Sequence, residues 1–349
     1  MALKPTSFDI AQLAGVSQPT VSRALRGSPT VSEATRKRIE AIARQLNYKV
    51  DKNASSLRSG QSNTLALLIF ADPTPDDSMI NPFFSTMLGS ITRATARRGF
   101  DLLVSFQQLS GDWHVDYEDS HKADGIILLG YGDYVDYQPR LAQLERQQTH
   151  FVMWGSANYG PAGTIGTDNV RGGREATRHL LTRGRRRIAF IGTANDHCPE
   201  ILDRFEGYRL AHADLAVAID PRLHVEARTV ESEGYEAAQT LLARDIAFDG
   251  VFAASDIVAI GAMRALREAG RDIPADAAIV GFDDIPAAAL ADPPLTTISQ
   301  DAGSAGEALV DALVRRIRGE PVRNIQLPGV LVVRRSCGQA HSGKSAPIA

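Results

Sequence analysis

From Asn63 onward, short apolar runs alternate with longer amphipathic segments, and few architectures accept that order. The runs at 65–70, 101–106, 125–129, 151–154, 187–191, 251–254 and 278–282 have the length of strands. The segments at 83–98, 172–183, 203–213, 232–244, 256–269 and 304–318 repeat apolar residues at helical spacing. This alternation predicts parallel sheets with helices on both faces. The elements divide near 155–167 into two similar blocks, so the body is expected to be two doubly wound α/β lobes. The N-lobe is expected over about 63–157, joined by returning strands near Thr297 and 331–334, and the C-lobe over about 165–292. Ligands of such sheets sit beyond the carboxyl ends of the strands, where hinge closure can trap them.

The first 60 residues follow another pattern. They carry ten Lys or Arg against four Asp or Glu, a net +6, whereas the remainder carries −9 and the whole chain −3. A basic head on an acidic body suggests a head that binds a polyanion. Residues 7–14 have apolar Phe8, Ile10, Ala11, Leu13 and Ala14 at helical spacing. Gly15-Val16-Ser17 breaks that helix with a residue suited to a tight turn. Ser17 can cap a second helix running to about Arg26, with Pro19 in its first turn and Val21, Ala24 and Leu25 inward. A third helix opens near Val31 and runs to about Leu46, buried through Ile39, Ile42, Ala43 and Leu46. Two short helices joined by a Gly turn form a helix-turn-helix pattern. Gln18, Thr20, Ser22, Arg23 and Arg26 face outward on the second helix, small donors and cations suited to phosphates and base edges.

Several classes are disfavoured. Two cysteines, Cys198 and Cys337, cannot form a disulfide framework and suit a reducing cytosol. No C-x-x-C pair or H-E-x-x-H run suggests a metal site, and the eight histidines show no ligand spacing. Neither a phosphate-binding glycine loop nor a nucleophile elbow is present, so no enzyme and no cofactor are expected. Two cleft carboxylates keep catalysis as an alternative. MALKPTSFDI lacks the apolar core of a secretory signal, and no run is long enough to span a bilayer. A cytoplasmic protein is therefore expected.

The strings DIAQLAGVSQPTVSRALRG and VSEATRKRIEAIARQLNYKVDKNASSLRSG resemble the lactose-repressor (LacI/GalR) family of bacterial transcription regulators, densely over residues 7–60 and more sparsely to about 336. The resemblance implies an all-α helix-turn-helix head (1–50), a hinge helix and linker (51–62), a periplasmic-binding-protein-like effector and dimerisation body (63–340) and a disordered tail (341–349). It would set Ser17, Thr20 and Ser22 against phosphates, and Gln18, Pro19 and Arg23 against bases. Pro19 departs from members with a polar residue there and can offer only shape or methyl contact. NASSLRS at 53–59 resembles the hinge that orders when two copies meet on DNA. There Leu57 would wedge into the minor groove, between Asn53 and Arg58 at the same contact, with unstacking offset by contacts to bent DNA.

In the body, NPFF (81–84), TDNVRGG (167–173), RRIAFIG (186–192), DRFEGYR (203–209), ASDIVAIGAM (254–263), IVGFDD (279–284) and PPLTTISQD (293–301) match landmarks of the family. By position Phe83 and Phe84 would line the cleft mouth, or be core. Arg204 would grip the effector with its planar fork, and Asp283 would accept from vicinal hydroxyls. Ser255, Asp256 and Gln300 are further candidates, and Asp133 another in a stretch that aligns poorly. An ion pair between Arg204 and Asp283 in the empty cleft is the structural alternative. Purine-binding relatives place an aromatic near Thr229, so a sugar effector is expected. The implied protein is a homodimeric repressor of carbohydrate-utilisation genes, bound to double-stranded operator DNA and released by sugar. Co-repression by a nucleobase or other metabolite is the alternative, and a transporter's sugar-binding protein a more distant one. The tail has no leucine heptad, so a tetramerising coiled coil is not expected. The run Arg183, Arg185, Arg186, Arg187 reads as a solvated helix end.

Overall fold

A computed structural model describes residues 5–25, 27–48, 61–70, 80–107, 111–130, 133–244 and 246–338. The candidates Arg26, Asn53, Leu57 and Arg58, and the tail at 341–349, lie outside the described residues. The chain divides into two compact units, Met1–Ser62 and Asn63–Ala349.

The first unit holds α1 (Ser7–Ala14), α2 (Gln18–Leu25) and α3 (Glu33–Gln45). Thr6 and Asp9 form a reciprocal capping box at the start of α1, and Gly15 ends it at φ +62°. Ser32 caps α3 by accepting from the Thr35 amide. Ile10, Ala11, Ala14, Val21, Ala24, Val31, Ile39 and Ala43 make a small core. Phe8 and Leu13 do not join it: they are 70% and 63% exposed. An eight-residue helix has barely two turns, and the inward stripe of α1 is already filled by Ile10, Ala11 and Ala14.

The second unit contains two six-stranded sheets. In the first, β1 (Thr64–Phe70) lies between β2 (Asp101–Gln107) and β3 (Gly125–Leu129), followed outward by β4 (Phe151–Trp154), β5 (Thr164–Thr167) and β11 (Ile325–Leu327), all parallel. In the second, β6 (Ile188–Ile191) separates β7 (His224–Val225) from β8 (Gly250–Ala253), followed by β9 (Ala278–Asp283), β10 (Thr296–Ser299) and an antiparallel edge strand, β12 (Val330–Val332). Six of the seven residues of β1 are buried, as expected of a parallel strand covered on both faces.

The connections correct the expected boundaries. The strands near Thr297 and 331–334 do not return to the first lobe: Thr297 pairs with Gly281 and Val332, inside the second sheet. What returns is α11 (Ala302–Ile317), packed on β3, β4 and the first-lobe helix α4 (Pro82–Arg97), and then β11. Arg98, at the end of α4, holds α11 through Glu307 and Asp311. The N-lobe extends beyond 157 to include β5, and the C-lobe beyond 292 to include β10 and β12. The short strands TIGT and HV, and helix α5 (Tyr134–Arg146) with its internal Pro139, carry too little periodicity to stand out in sequence.

Glycines set the helix spacing in the second lobe. A Cβ on Gly173, in α6 (Asn169–Thr182), would meet the Arg204 carbonyl at 2.2 Å, and one on Gly207, in α7 (Pro199–Asp214), would meet the Val170 carbonyl at 2.1 Å. The two helices therefore touch backbone to backbone. The four arginines after α6 are more than a solvated end. Arg183 donates to the Gly338 carbonyl, Arg185 to those of Pro274 and Ala275, Arg186 to Leu181 and Arg187 to Ala247.

Candidate functional site

On the head, α2 offers an exposed polar face because Val21 and Ala24 take its inward positions. The Ser17 and Thr20 hydroxyls are 2.9 Å apart. Gln18 donates through Nε2 to Ser7 Oγ at 3.2 Å. Arg23 is exposed and donates through Nε to the Pro19 carbonyl at 3.3 Å. Ser22 is half-buried beside them.

In the body, the ends of several strands converge on one guanidinium. Arg204 is 1% exposed. Its Nε donates to Asn169 Oδ1 at 2.9 Å, just past β5, and Nη1 to the Ala254 carbonyl at 2.5 Å, just past β8. Nη1 lies 3.6 Å from Asp283 Oδ1 at the end of β9. The cation also sits over the Phe282 ring, 3.8 Å from its centroid, where the quadrupole favours it. Gln300, just past β10, donates to Asp283 Oδ1 at 2.5 Å. Asp283 has φ +118°, a conformation that costs energy in a non-glycine residue and that its neighbours hold in place. The next residue, Asp284, is fixed by Arg334 at 2.6 Å.

Ser255 and Asp256 stand behind this knot. Ser255 caps α9 (Asp256–Glu268) by accepting from the Val258 amide at 3.4 Å. Asp256 has no exposed surface. Its Oδ1 accepts from Thr297 at 2.5 Å and its Oδ2 from the Ile285 amide at 2.9 Å. Burial, and then the neighbouring Asp283 charge, push the Asp256 carboxyl well above the ordinary carboxylate range. With both oxygens committed, Asp256 staples the loops that carry Asp283 and Gln300.

Phe83 and Phe84 do not line an open mouth. Each is 2% exposed in the core, with rings 5.3 Å apart and Phe83 5.8 Å from Trp154. Asn81 caps α4 by accepting from the Phe83 amide at 2.9 Å, which turns both rings inward from the first turn. Thr229 is buried.

The two lobes also meet directly. The Tyr134 amide donates to the His197 carbonyl at 3.0 Å, and His197 Nδ1 lies 2.6 Å from Asp133 Oδ2. Asp133 also caps α5 through the Val135 amide. Asp203 Oδ2 accepts from Ser156 Oγ at 2.6 Å and Asn158 Nδ2 at 3.1 Å. Asn169, Phe282, Glu200, Asp203 and His197 were not singled out from sequence. Three of them, Asn169, Phe282 and Asp203, lie inside the landmark phrases, but their roles depend on which strand ends the fold brings together.

The comparisons agree with this architecture. Residues 8–51 match the family described as bacterial regulatory proteins, lacI family, and residues 177–337 match the periplasmic binding protein-like domain. The ribose operon repressor of Escherichia coli (strain K12) is 31% identical over 338 residues, covering 95% of this chain and 99% of that protein. A solved transcriptional regulator CelR–cellobiose complex is 31% identical with a TM-score of 0.71, covering 95% of this chain and 99% of that one. The Lac repressor dimer bound to operator and the anti-inducer ONPF is 26% identical with a TM-score of 0.82, covering 97% of this chain and 100% of that one. A helical DNA-reading head on a two-lobed binding body defines a ligand-responsive transcription regulator. The chain belongs to the lacI family of bacterial regulatory proteins.

Proposed function

We propose that this chain is a dimeric repressor of carbohydrate-utilisation genes that leaves its operator when a small sugar enters the inter-lobe cleft. The observation that carries the reading is the knot of Arg204, Asp283 and Gln300 at the strand ends, in the same chain as a helix-turn-helix head. Arg204 supplies donors, while Asp283 and Gln300 supply acceptors, a set that matches vicinal hydroxyls. Ser17, Thr20 and Ser22 hold phosphates, Gln18, Pro19 and Arg23 face bases, and Arg26 is a further contact to DNA. The hinge with Asn53, Leu57 and Arg58 enters the minor groove. Phe83, Phe84, Ser255 and Asp256 support the cleft from behind. The CelR complex with cellobiose makes a sugar the first class to test.

Regulation is a coupling between two sites. Effector shifts the lobe angle and thereby the spacing of the two hinges in the dimer. The protein performs no catalysis and works in the cytoplasm on DNA. Among the described residues, no helix is long and apolar enough to cross a membrane.

Calorimetric titration of the full chain with cellobiose, ribose and a panel of mono- and disaccharides tests the reading. A sugar that binds wild type and binds Asp283→Asn at least tenfold more weakly supports it. Binding by a nucleobase in place of every sugar would move the effector to another class.

A further inference from the structure

Two carboxyls from the beginning of α7 are carried across the seam between the lobes. Glu200 is 8% exposed, and its Oε1 lies so near Gly155 that a Cβ there would stand 3.2 Å away. Asp203 is 6% exposed and is held by Ser156 and Asn158. Gly155, Ser156 and Asn158 all belong to the segment leaving β4, in the opposite lobe. Closing the lobes therefore takes both carboxyls out of water, and parting them returns both.

Little positive charge faces them. On their own helix they meet Arg204 and, at its N-terminus, Cys198. Arg204 is already engaged by Asn169, Ala254 and Asp283. From the first lobe, Tyr134 and Tyr137 of α5 face Glu200, and Tyr159 faces Asp203. Asp168, at the start of α6, adds negative charge beside Asp203, and the Asp133–His197 pair bridges the same seam.

We propose that closure of the two lobes captures a proton, and that Glu200 is the group that holds it. Burial pushes both carboxyls up, but Asp203 accepts from the side chains of Ser156 and Asn158, whereas among the described residues Glu200 accepts only from backbone amides, its own and that of Ser156. Burial, helped by the nearby Asp203, pushes the Glu200 carboxyl up, with its own amide, Arg204 and the Ser156 amide opposing only in part. An acid that ionises freely when open and reluctantly when closed binds protons on closing. The closed form is thus fully favoured below the ordinary carboxylate range and loses ground as pH rises toward the elevated value. The device is a property of the lobes. It reaches effector affinity only through the reading proposed above.

The test uses the full chain without effector. The Tyr134 amide, bonded to the His197 carbonyl across the seam, reports opening through hydrogen exchange corrected for its intrinsic pH dependence. Wild type should open more often as pH rises above the ordinary carboxylate range, by up to tenfold per unit for one proton, until the elevated Glu200 value is passed. Glu200→Gln should lose most of that slope, whereas His197→Asn should keep it. A slope retained in Glu200→Gln would assign the proton to another seam group, Asp203 or the His197–Asp133 pair, and one abolished in His197→Asn would assign it to that pair; either overturns the proposal. Should Glu200→Gln fail to fold, the carbon-13 titration of the wild-type Glu200 carboxyl decides. A midpoint above the ordinary range supports the proposal, and an ordinary midpoint defeats it. Neither arm needs a sugar to bind, so failure of the sugar reading is seen separately.

Discussion

Arg204→Met replaces a buried cation by an apolar chain of similar length. The substitution removes the donors to Asn169 Oδ1 and the Ala254 carbonyl and leaves the Asp283 carboxylate, 3.6 Å away, without its cation. Breaking a buried pair from one side costs about 3–5 kcal/mol, because the remaining charge is then uncompensated. The stranded acceptors add to this, although contributions within one network do not sum. At roughly 2 °C per kcal/mol for a unit of this size, the body should melt about 6–10 °C lower. Scanning calorimetry of the full chain would show the body transition move while the head transition stays. Adding Asp283→Asn should restore about 1–3 kcal/mol, since no charge is then left buried alone. A loss under about 1 kcal/mol for Arg204→Met, or a double variant equal to the sum of the singles, would refute this account of the knot.

Gly207→Ala should destabilise the body by about 1–3 kcal/mol or more, because its new Cβ would meet the Val170 carbonyl at 2.1 Å, and the melting temperature reads it. The Asp9 carboxyl is held below its usual range, first by the hydrogen bond from the Thr6 amide. Its help to α1 should thus be complete above the ordinary aspartate range and vanish as pH falls through the lowered value. Helical circular dichroism of wild type should exceed that of Asp9→Asn above the ordinary aspartate range, and the difference should disappear on acidification. Operator affinity should fall steeply with salt, by a slope of about −0.9 per neutralised phosphate, because residues 1–60 carry net +6. A flat response measured by anisotropy would count against a phosphate-binding head. Leu57→Ala should reduce DNA bending in a permuted-fragment gel while leaving effector affinity unchanged.

The α/β alternation was legible because strands buried on both faces are written as unbroken apolar runs, such as TLALLIF in β1. The helix-turn-helix was legible because Gly15 and the capping residues punctuate very short helices. The lobe exchange was not. Strands of three or four residues, such as IQL and TTIS, have no period that tells one sheet from another, and their partners are set by chain crossings. At the site, Arg204 and Asp283 could be named from their phrases, and the structure brings them together. Asp256 reads like a ligand in sequence, yet geometry commits both of its oxygens internally. Phe83 and Phe84 carry the same letters as a stacking platform, but the Asn81 cap turns them into the core. Glu200 had no motif to announce it, because its significance comes from facing Gly155 in the other lobe.

The central claim is that one chain reads DNA with its head and a small molecule with its cleft, and that the two are coupled. The most direct measurement is fluorescence anisotropy of the full-length chain on a DNA site selected from a randomised library, titrated with each sugar that calorimetry finds to bind. Wild type should recover a near-palindromic site and release it at sugar concentrations that fill the cleft. Asp283→Asn should bind the same DNA with unchanged affinity and require at least about tenfold more sugar for release, the loss of a charge-assisted partner worth about 1.5 kcal/mol. Release of Asp283→Asn at the wild-type sugar concentration would contradict the assignment of the cleft. DNA binding indifferent to every bound sugar would contradict the coupling itself.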